Sequence, residues 1–528
     1  MNQRNAALLG ALLCIAACSV LNAPDALLPI PESGGANDTG GTSTTAGTET
    51  GGTTSQAGEG AASPQAGAGA VPGVGGCSSG CDEGGAPPIG RDCTISSQDC
   101  GSTAPICDAA DGTCRACKND AECKTEVAKN FCATSGASAG RCVTCKAAAD
   151  CSGRTPVCSD VGQCVACSAN DECDSGVCES TGACGATTAA VYALAQTGII
   201  ALDCGSVDTP CRNLKDAVTH LSATRNRLVL LKTAQAFDGG ASLPAVKGLR
   251  VIGNGDTVHT YDQTSGFSVG AGANVTFENL VVEGSTADKT GGIVCEGGAI
   301  TILNSTLQSN GNGVLANDCD VTVTGSLLSK NASPLMFSQA ALKITCTAAT
   351  CPNTSSILRN KFVDNGVAVS IWDQAKSSVE NNLFLRNGSA GYTRVIELRA
   401  DATHFAYNTL VENFNDCTYV GIVACDSGVC TDTANISFNN FPGQNCLDQV
   451  WYGSNNVMTY NLTEIAYPGA TNHIGDPKFV DAAKGDFTPG AGSPAIDKGD
   501  PKDTPPFDLN GNKRPLGIAP DVGAIEAQ

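Results

Sequence analysis

Ile302-Leu303-Asn304-Ser305-Thr306-Leu307-Gln308-Ser309-Asn310 carries a spacing that returns along the chain. An apolar residue is followed by Ser or Asn at +3, a second apolar residue at +5 and Asn at +8. The pattern recurs as Val323-Ser326-Leu328-Asn331, Ile357-Asn360-Phe362-Asn365, Val379-Asn382-Phe384-Asn387 and Phe405-Asn408-Leu410-Asn413. Weaker copies begin at Phe277, Ile436 and Val457. The closing asparagines stand 21, 34, 22 and 26 residues apart. Apolar alternation over such short runs makes a strand with one inward face. Asn tolerates left-handed backbone and so turns the chain between strands.

A repeat of about 22 residues closes one three-sided turn of a right-handed parallel β-helix, with coils stacked about 4.8 Å apart and Asn over Asn in ladders. A leucine-rich repeat has a similar length but needs a leucine consensus, which is missing. An antiparallel sandwich would show hairpin signals instead of a constant coil length. The 34-residue step contains Cys346 and Cys351 and reads as an inserted loop. The expected fold class is therefore all-β, with a β-helix solenoid over residues 186–475.

Upstream, residues 93–185 hold four cysteine units: Cys93, Cys100, Cys107, Cys114; Cys117, Cys123, Cys132, Cys142; Cys145, Cys151, Cys158, Cys164; and Cys167, Cys173, Cys178, Cys184. An acid precedes the second cysteine each time: Asp99, Glu122, Asp150, Glu172. Consecutive units meet in C-x-x-C, a spacing that zinc sites and redox motifs also use. The region has no histidine and reads as loops and turns, so disulfides are favoured. Each would contribute about 2–4 kcal/mol where few apolar residues can form a core. Three connectivities remain open per unit. Cys77 and Cys81 make a further pair. Inside the second unit, Gly136-Ala137-Ser138-Ala139-Gly140 matches a nucleophile elbow but lacks the strand–turn–helix context that the elbow requires.

The first residues read as an address. Arg4 precedes the apolar run Ala6 to Ala17, a length suited to a signal peptide and too short to span a bilayer. The run ends Ile15-Ala16-Ala17-Cys18, which resembles a bacterial lipobox over residues 1–18; Cys14 fits less well, because Leu12 and Leu13 stand where small residues are wanted. The resemblance implies lipidation of Cys18, and Ser19 after it implies sorting to the outer membrane, with a surface-exposed chain held by lipid. Residues 19–92 are dominated by Gly, Ala, Ser and Thr and cannot bury enough surface to offset ordering entropy, so they read as a disordered tether.

Composition agrees with an exported protein. Thirty cysteines argue against a reducing cytosol. With 31 basic against 52 acidic residues the formal charge is −21, which argues against nucleic acid as a partner.

Two segments carry a family resemblance. Cys204-Gly205, Pro210-Cys211-Arg212-Asn213-Leu214 and Ala217 resemble the opening of secreted pectate-lyase-like β-helix proteins. Asp476-Pro477-Lys478-Phe479, Asp486-Phe487, Ser493-Pro494-Ala495-Ile496-Asp497, Asp508, Gly511-Asn512-Lys513-Arg514-Pro515, Pro520-Asp521-Val522-Gly523-Ala524 and Glu526 resemble the choice-of-anchor Q tail of bacterial surface β-helix proteins. The resemblance implies a capped β-helix displayed outside the cell, with residues 476–528 as its C-terminal cap. It does not imply one activity. The tail's polar loops are expected to cover the strand edges of the last coil.

Pectin-cleaving relatives use clustered aspartates, calcium and an arginine or lysine base, or paired aspartates with a histidine. The four histidines here (His220, His259, His404, His473) are scattered. The best cluster is Trp372-Asp373 with Glu397 and Arg399 one coil on. Asp373 lies six residues before Val379 and Arg399 six before Phe405, so equal register stacks them; Glu397, Arg399 and Asp401 alternate onto one strand face. One reading is a carbohydrate groove with Trp372 as a glycan-binding platform and Asp373, Glu397 and Arg399 as catalytic groups. The other, which is favoured, is a solvated ion pair worth about 0–1 kcal/mol. Asp508-Leu509-Asn510-Gly511-Asn512 has its glycine at the wrong position for an EF-hand loop and reads as a turn. No metal or other cofactor is expected; Ca²⁺ would enter only with lyase chemistry. The disulfides expected in this part are Cys204–Cys211, Cys346–Cys351 and Cys425–Cys430; Cys295 and Cys319 lie about one coil apart, and Cys417 and Cys446 remain.

The expected function is display of the β-helix at the cell surface to bind an extracellular polysaccharide or surface protein. The alternative is a polysaccharide lyase or glycoside hydrolase.

Overall fold

The computed structural model describes residues 100–528 except 101, 109, 125–128, 200–202, 262, 333–337, 348–351, 389–393, 415–420, 426–427, 441–450 and 453–455. The Cys18 lipobox, the tether, the Cys77–Cys81 pair, and Cys93, Cys351, Cys417 and Cys446 lie outside the described residues. Among the described residues, one compact unit holds Val165–Gln528 with Ser152–Val157, and a second holds the remaining cysteine modules up to Cys164.

Residues 190–474 form the all-β, right-handed parallel solenoid. Each full coil has three faces, called the first, second and third sheets, as Leu342–Thr345, Thr354–Leu358 and Lys361–Val363 show; in the next two coils the first and second run on as the single strands Val369–Glu380 and Ile396–Ala406. Successive coils pair in parallel and in register: Ile293 opposite Val314, Ile300 opposite Val321, Leu307 opposite Leu328. Like side chains therefore stack inside. Phe362 and Phe384 are in register, fully buried and stacked at 4.9 Å, and Phe405 of the neighbouring face packs 6.2 Å from Phe384. Burying each such ring stabilises by about 1.5–3 kcal/mol.

The repeated Ser and Asn positions form two ladders along the corners of the third sheet. In one, the backbone N–H of Asn360 donates to Asn382 Oδ1 (2.8 Å), Asn382 to Asn408 (2.9 Å), Asn408 to Asn435 (2.8 Å) and Asn435 to Asn461 (2.8 Å). The other runs Asn331, Asn365, Asn387, Asn413, Asn440 at 2.9–3.1 Å. Each side-chain amide also donates back to a carbonyl, as Asn408 Nδ2 does to Val379 O at 2.8 Å.

The left-handed residue is not the ladder asparagine, as expected from sequence, but the residue before it. Arg359, Tyr407 and Ala434 have φ of +55°, +54° and +55°, and Lys330 and Glu412 behave alike. A left-handed L-residue costs about 1–2 kcal/mol. Each ladder asparagine satisfies several buried groups that would cost about 1–3 kcal/mol apiece if left unpaired, so the ladder wins. The ladder also corrects two sequence frames. Asn435 and Asn461 are rungs, so the late copies begin at Asp432 and Met458, not at Ile436 and Val457. The 34-residue coil, read as one inserted loop, divides its extra residues between two places, one between the strands ending at Ser329 and beginning at Leu342, the other between those ending at Thr345 and beginning at Thr354.

In the cysteine modules the first residue pairs with the third and the second with the fourth. The bonds are Cys117–Cys132 and Cys123–Cys142, Cys145–Cys158 and Cys151–Cys164, Cys167–Cys178 and Cys173–Cys184; Cys100–Cys114 obeys the same rule. The acid before the second cysteine caps a turn. Glu122 accepts the Lys118 N–H (2.7 Å), Asp150 those of Lys146 and Ala147 (2.9 and 3.0 Å), and Glu172 those of Ser168 and Ala169 (2.6 and 3.0 Å). The fourth module packs on the solenoid itself. Val177 is buried with Ala190, Tyr192, Val229 and Ile252, while Glu179 binds Arg227 (3.0 Å) and Arg250 (3.2 Å).

The C-terminal tail lies along the flank of the third sheet, where it had been expected over the last coil's strand edges. The reason is an apolar outer face on that sheet. Leu383, Leu385 and Val411 bury Phe487, Leu509 and Ile525, and Ile436 and Leu462 bury Ala495 and Val522. At the solenoid's end, Asn472 in the loop before His473 accepts the Asn461 N–H (3.0 Å), and Tyr467 packs edge-on against Trp451. The quoted tail motifs form the buried centre of this region. Arg514, fully buried, binds Glu526 (2.9 Å) and the carbonyls of Asp521 (3.0 Å) and Gly523 (2.6 Å), and lies 4.7 Å from the Tyr407 ring.

Candidate functional site

Along the outward face of the first sheet, register places Val294, Leu315, Lys343, Ser370, Glu397 and Ala424 in one column. Val294, Leu315, Ser370 and Ala424 are buried although they point outward, so the face is recessed. A parallel column holds Asn317, Thr345, Trp372 and Arg399.

The four predicted residues meet only in part. Trp372 Nε1 donates to Glu397 Oε2 at 2.8 Å. Glu397 Oε1 holds Arg399 (2.9 Å) and Arg394 (2.6 Å). The Arg399 guanidinium lies 4.1 Å from the Trp372 ring centre. Asp373 does not stack on Arg399. The register slips between Trp372 and Gln374, and Asp373 is the extra residue of a bulge with φ +60°, so Trp372 takes its place opposite Arg399. Glu397, Arg399 and Asp401 do share the outward face.

Two cations were not singled out from the sequence. Arg394 comes from the turn before the strand, where no repeat position marks it. Lys343 lies in the register column but sits in the coil whose insertions obscure the period. Burial lowers the Lys343 ammonium pKa, and the acids Asp288 and Glu397 only partly restore it; its Nζ donates to Ser338 O at 2.5 Å.

This arrangement limits the chemistry. Arg399 is both ion-paired and stacked on an indole, so its guanidinium is fixed in place by two contacts. Glu397 receives Trp372, Arg394 and Arg399 together, so its oxygens are already occupied by protein donors. Among the described residues, the groups of three or more His, Cys, Asp or Glu with converging ligand atoms consist of cysteines, in one case with His220 beside them. These cysteines are joined in disulfides. The result is a surface on which an aromatic ring and two arginines close on Glu397, with Lys343 nearby between Glu397 and Asp288.

The other sequence candidates are structural. Ser138 donates to Val161 O at 3.0 Å in a turn, and a side chain at Gly140 (φ +80°) would meet Ala116 Cβ at 2.7 Å. Asp508 accepts the N–H groups of Asn510, Asn512 and Glu526 plus the Asn512 amide, which uses up its oxygens. His259 pairs with Glu283 (3.6 Å), and His404 lies near Asp503 (3.4 Å). Disulfides join Cys204–Cys211, Cys425–Cys430 and Cys295–Cys319. Cys346 is disulfide-bonded, its expected partner lying outside the described residues.

The family described as "Right handed beta helix region" matches residues 291–463. Among solved structures, the chain is similar to the crystal structure of pectate lyase Pel9A, at 15% identity and a TM-score of 0.37 over 65% of this chain and 98% of that one. No curated protein matches it. The matched residues run from the coil of Ile293–Glu296 to that of Leu462–Thr463, the span that carries the asparagine ladders.

Proposed function

We propose that this is a lipid-anchored protein of the outer membrane, held through Cys18, that binds an extracellular glycan along the recessed outward face of the first sheet and does not cleave it. The observation that carries the binding reading is the closed set Trp372, Glu397, Arg394 and Arg399. A ring and a guanidinium presented together suit a sugar's apolar face and its oxygens, while the Glu397 carboxylate between them is already engaged. Anchorage rests on the sequence Ile15-Ala16-Ala17-Cys18 and the tether after it. The chain has two tryptophans, and Trp451 is buried, so fluorescence of the 37% exposed Trp372 reports on this face. Titration with a panel of acidic and neutral polysaccharides should change that emission, and Trp372→Ala should abolish both the signal and retention on the immobilised glycan. Binding that survives Trp372→Ala would move the site elsewhere.

One observation favours the second reading, a polysaccharide lyase: Lys343 has its pKa lowered by burial, the direction a lysine base requires. Unsaturated products formed by the whole chain and lost in Lys343→Met would establish it.

A further inference from the structure

The inward column of the second sheet reads Ile357, Val379, Phe405, Asp432, Met458 by register. Asp432 is the one acid in this apolar series, and it is completely buried. Among the described residues, neither of its carboxyl oxygens has a partner in good hydrogen-bonding geometry, although the Trp451 indole N–H lies near enough to act on the acid. Thr403 Oγ1 in the coil before, and Trp451 Nε1 and Asn456 Oδ1 in the coil after, likewise lack such a partner. The groups facing it are Phe405, Met458, Thr403, the Cys425–Cys430 disulfide, Asn456 and the Trp451 indole. Among the described residues none of these is charged. An ionised carboxylate sealed from water with no counter-charge is too costly to persist, and such groups take up a proton instead.

Asp432 also stands immediately before the residues that hold the tail. The strand Val429–Thr433 runs into Ala434, whose carbonyl accepts the Gly523 N–H at 2.8 Å. Ile436, two residues on, packs with Ala495 and Val522 of the tail. The coil that encloses the acid is thus also the seat of the tail.

We propose that Asp432 is carried as the neutral acid inside the solenoid, and that loss of its proton to solvent at alkaline pH opens this coil and unseats the C-terminal tail. Burial pushes the carboxyl up to about 8, with the Trp451 indole pulling it partly back. The folded-state pKa lies above the ordinary value of 3.8, so the folded chain holds this proton more tightly than the unfolded one. Stability is therefore greatest below about pH 4, falls as pH rises towards about 8, and stays low above it.

The test is limited proteolysis of the tail in the full chain between pH 6 and pH 9, with thermal unfolding recorded in parallel. In the wild type, tail cleavage should accelerate at least tenfold over this range while the melting temperature falls. Asp432→Asn cannot ionise and should be cleaved at one slow rate throughout. Should that variant fail to fold, Asp432→Leu continues the apolar column and should show the same flat profile. A variant that keeps the wild-type pH dependence overturns the proposal. So does a rise in melting temperature with added Ca²⁺ that either variant abolishes, because a metal ion would then hold the charge.

Discussion

Arg399 reaches back to the preceding coil, where its guanidinium covers the Trp372 ring at 4.1 Å, while its Nη2 binds Glu397 of its own strand at 2.9 Å. The stack is worth about 0.5–2 kcal/mol. Glu397 is the hub, since it also orients the indole and Arg394. Glu397→Ala should leave two half-buried guanidinium groups facing each other and destabilise the solenoid by about 1–3 kcal/mol in urea unfolding. The same change should shift Trp372 emission, because the indole N–H loses its acceptor.

Asn408 tests the ladder. Its Oδ1 accepts from Asn382, and its Nδ2 donates to Val379 O and to Asn435. Asn408→Ala should cost about 3 kcal/mol or more, since buried groups above and below it lose their partners. Asn408→Ser should cost less, because serine fills the same rung at Ser305 and Ser326, where the hydroxyl accepts the backbone N–H of the coil before. Equal losses for the two variants would show that side-chain volume, and not the ladder, sets the cost.

The period, the inward residues and the ladder positions were legible in the sequence because each repeats at a fixed offset. Each misreading had a local cause. The frame slid to Ile436 because the true inward residue is Asp432, an acid where the pattern calls for an apolar side chain. Asp373 was assigned to face Arg399 because counting residues cannot reveal a bulge. Some left-handed residues, such as Asn304, Asp364, Asn381 and Asn439, carry a turn signal, but Lys330, Arg359, Tyr407, Glu412 and Ala434 do not, and there only the ladder residue that follows marks the position. Cysteine spacing located the modules but not their connectivity. The connectivity is set by the strand pairing of Phe131–Cys132 with Cys142–Val143, which two-residue strands do not announce.

The tail depends on one buried ion pair. Burial pushes the Glu526 carboxyl up and the Arg514 guanidinium down, so desolvation opposes the attraction between them, and the pair contributes placement more than net stability. Removing one partner is a different matter: Glu526→Ala should cost about 3–5 kcal/mol and release the tail to protease. Arg514→Met together with Glu526→Leu should recover much of that loss.

Glu122 gives the second cysteine module an acid limit. Arg115, and then the Lys118 N–H, hold its carboxyl down at about 2, below its ordinary 4.5. With the folded value depressed, the contribution is present above about pH 4.5 and is lost as pH falls towards 2. The protection of the Lys118 amide, measured as its exchange rate relative to the intrinsic rate at each pH, should fall across that window, and Glu122→Gln should make that protection independent of pH.

Binding of a glycan on the recessed face and cleavage of that glycan leave different traces on the recovered sugar. The most direct measurement combines retention of the whole chain on immobilised polysaccharides with analysis of the recovered sugar for unsaturated or reducing ends. The account predicts retention by at least one polysaccharide, lost in Trp372→Ala, with no new ends formed. New ends that appear with the wild type and vanish in Lys343→Met would contradict it.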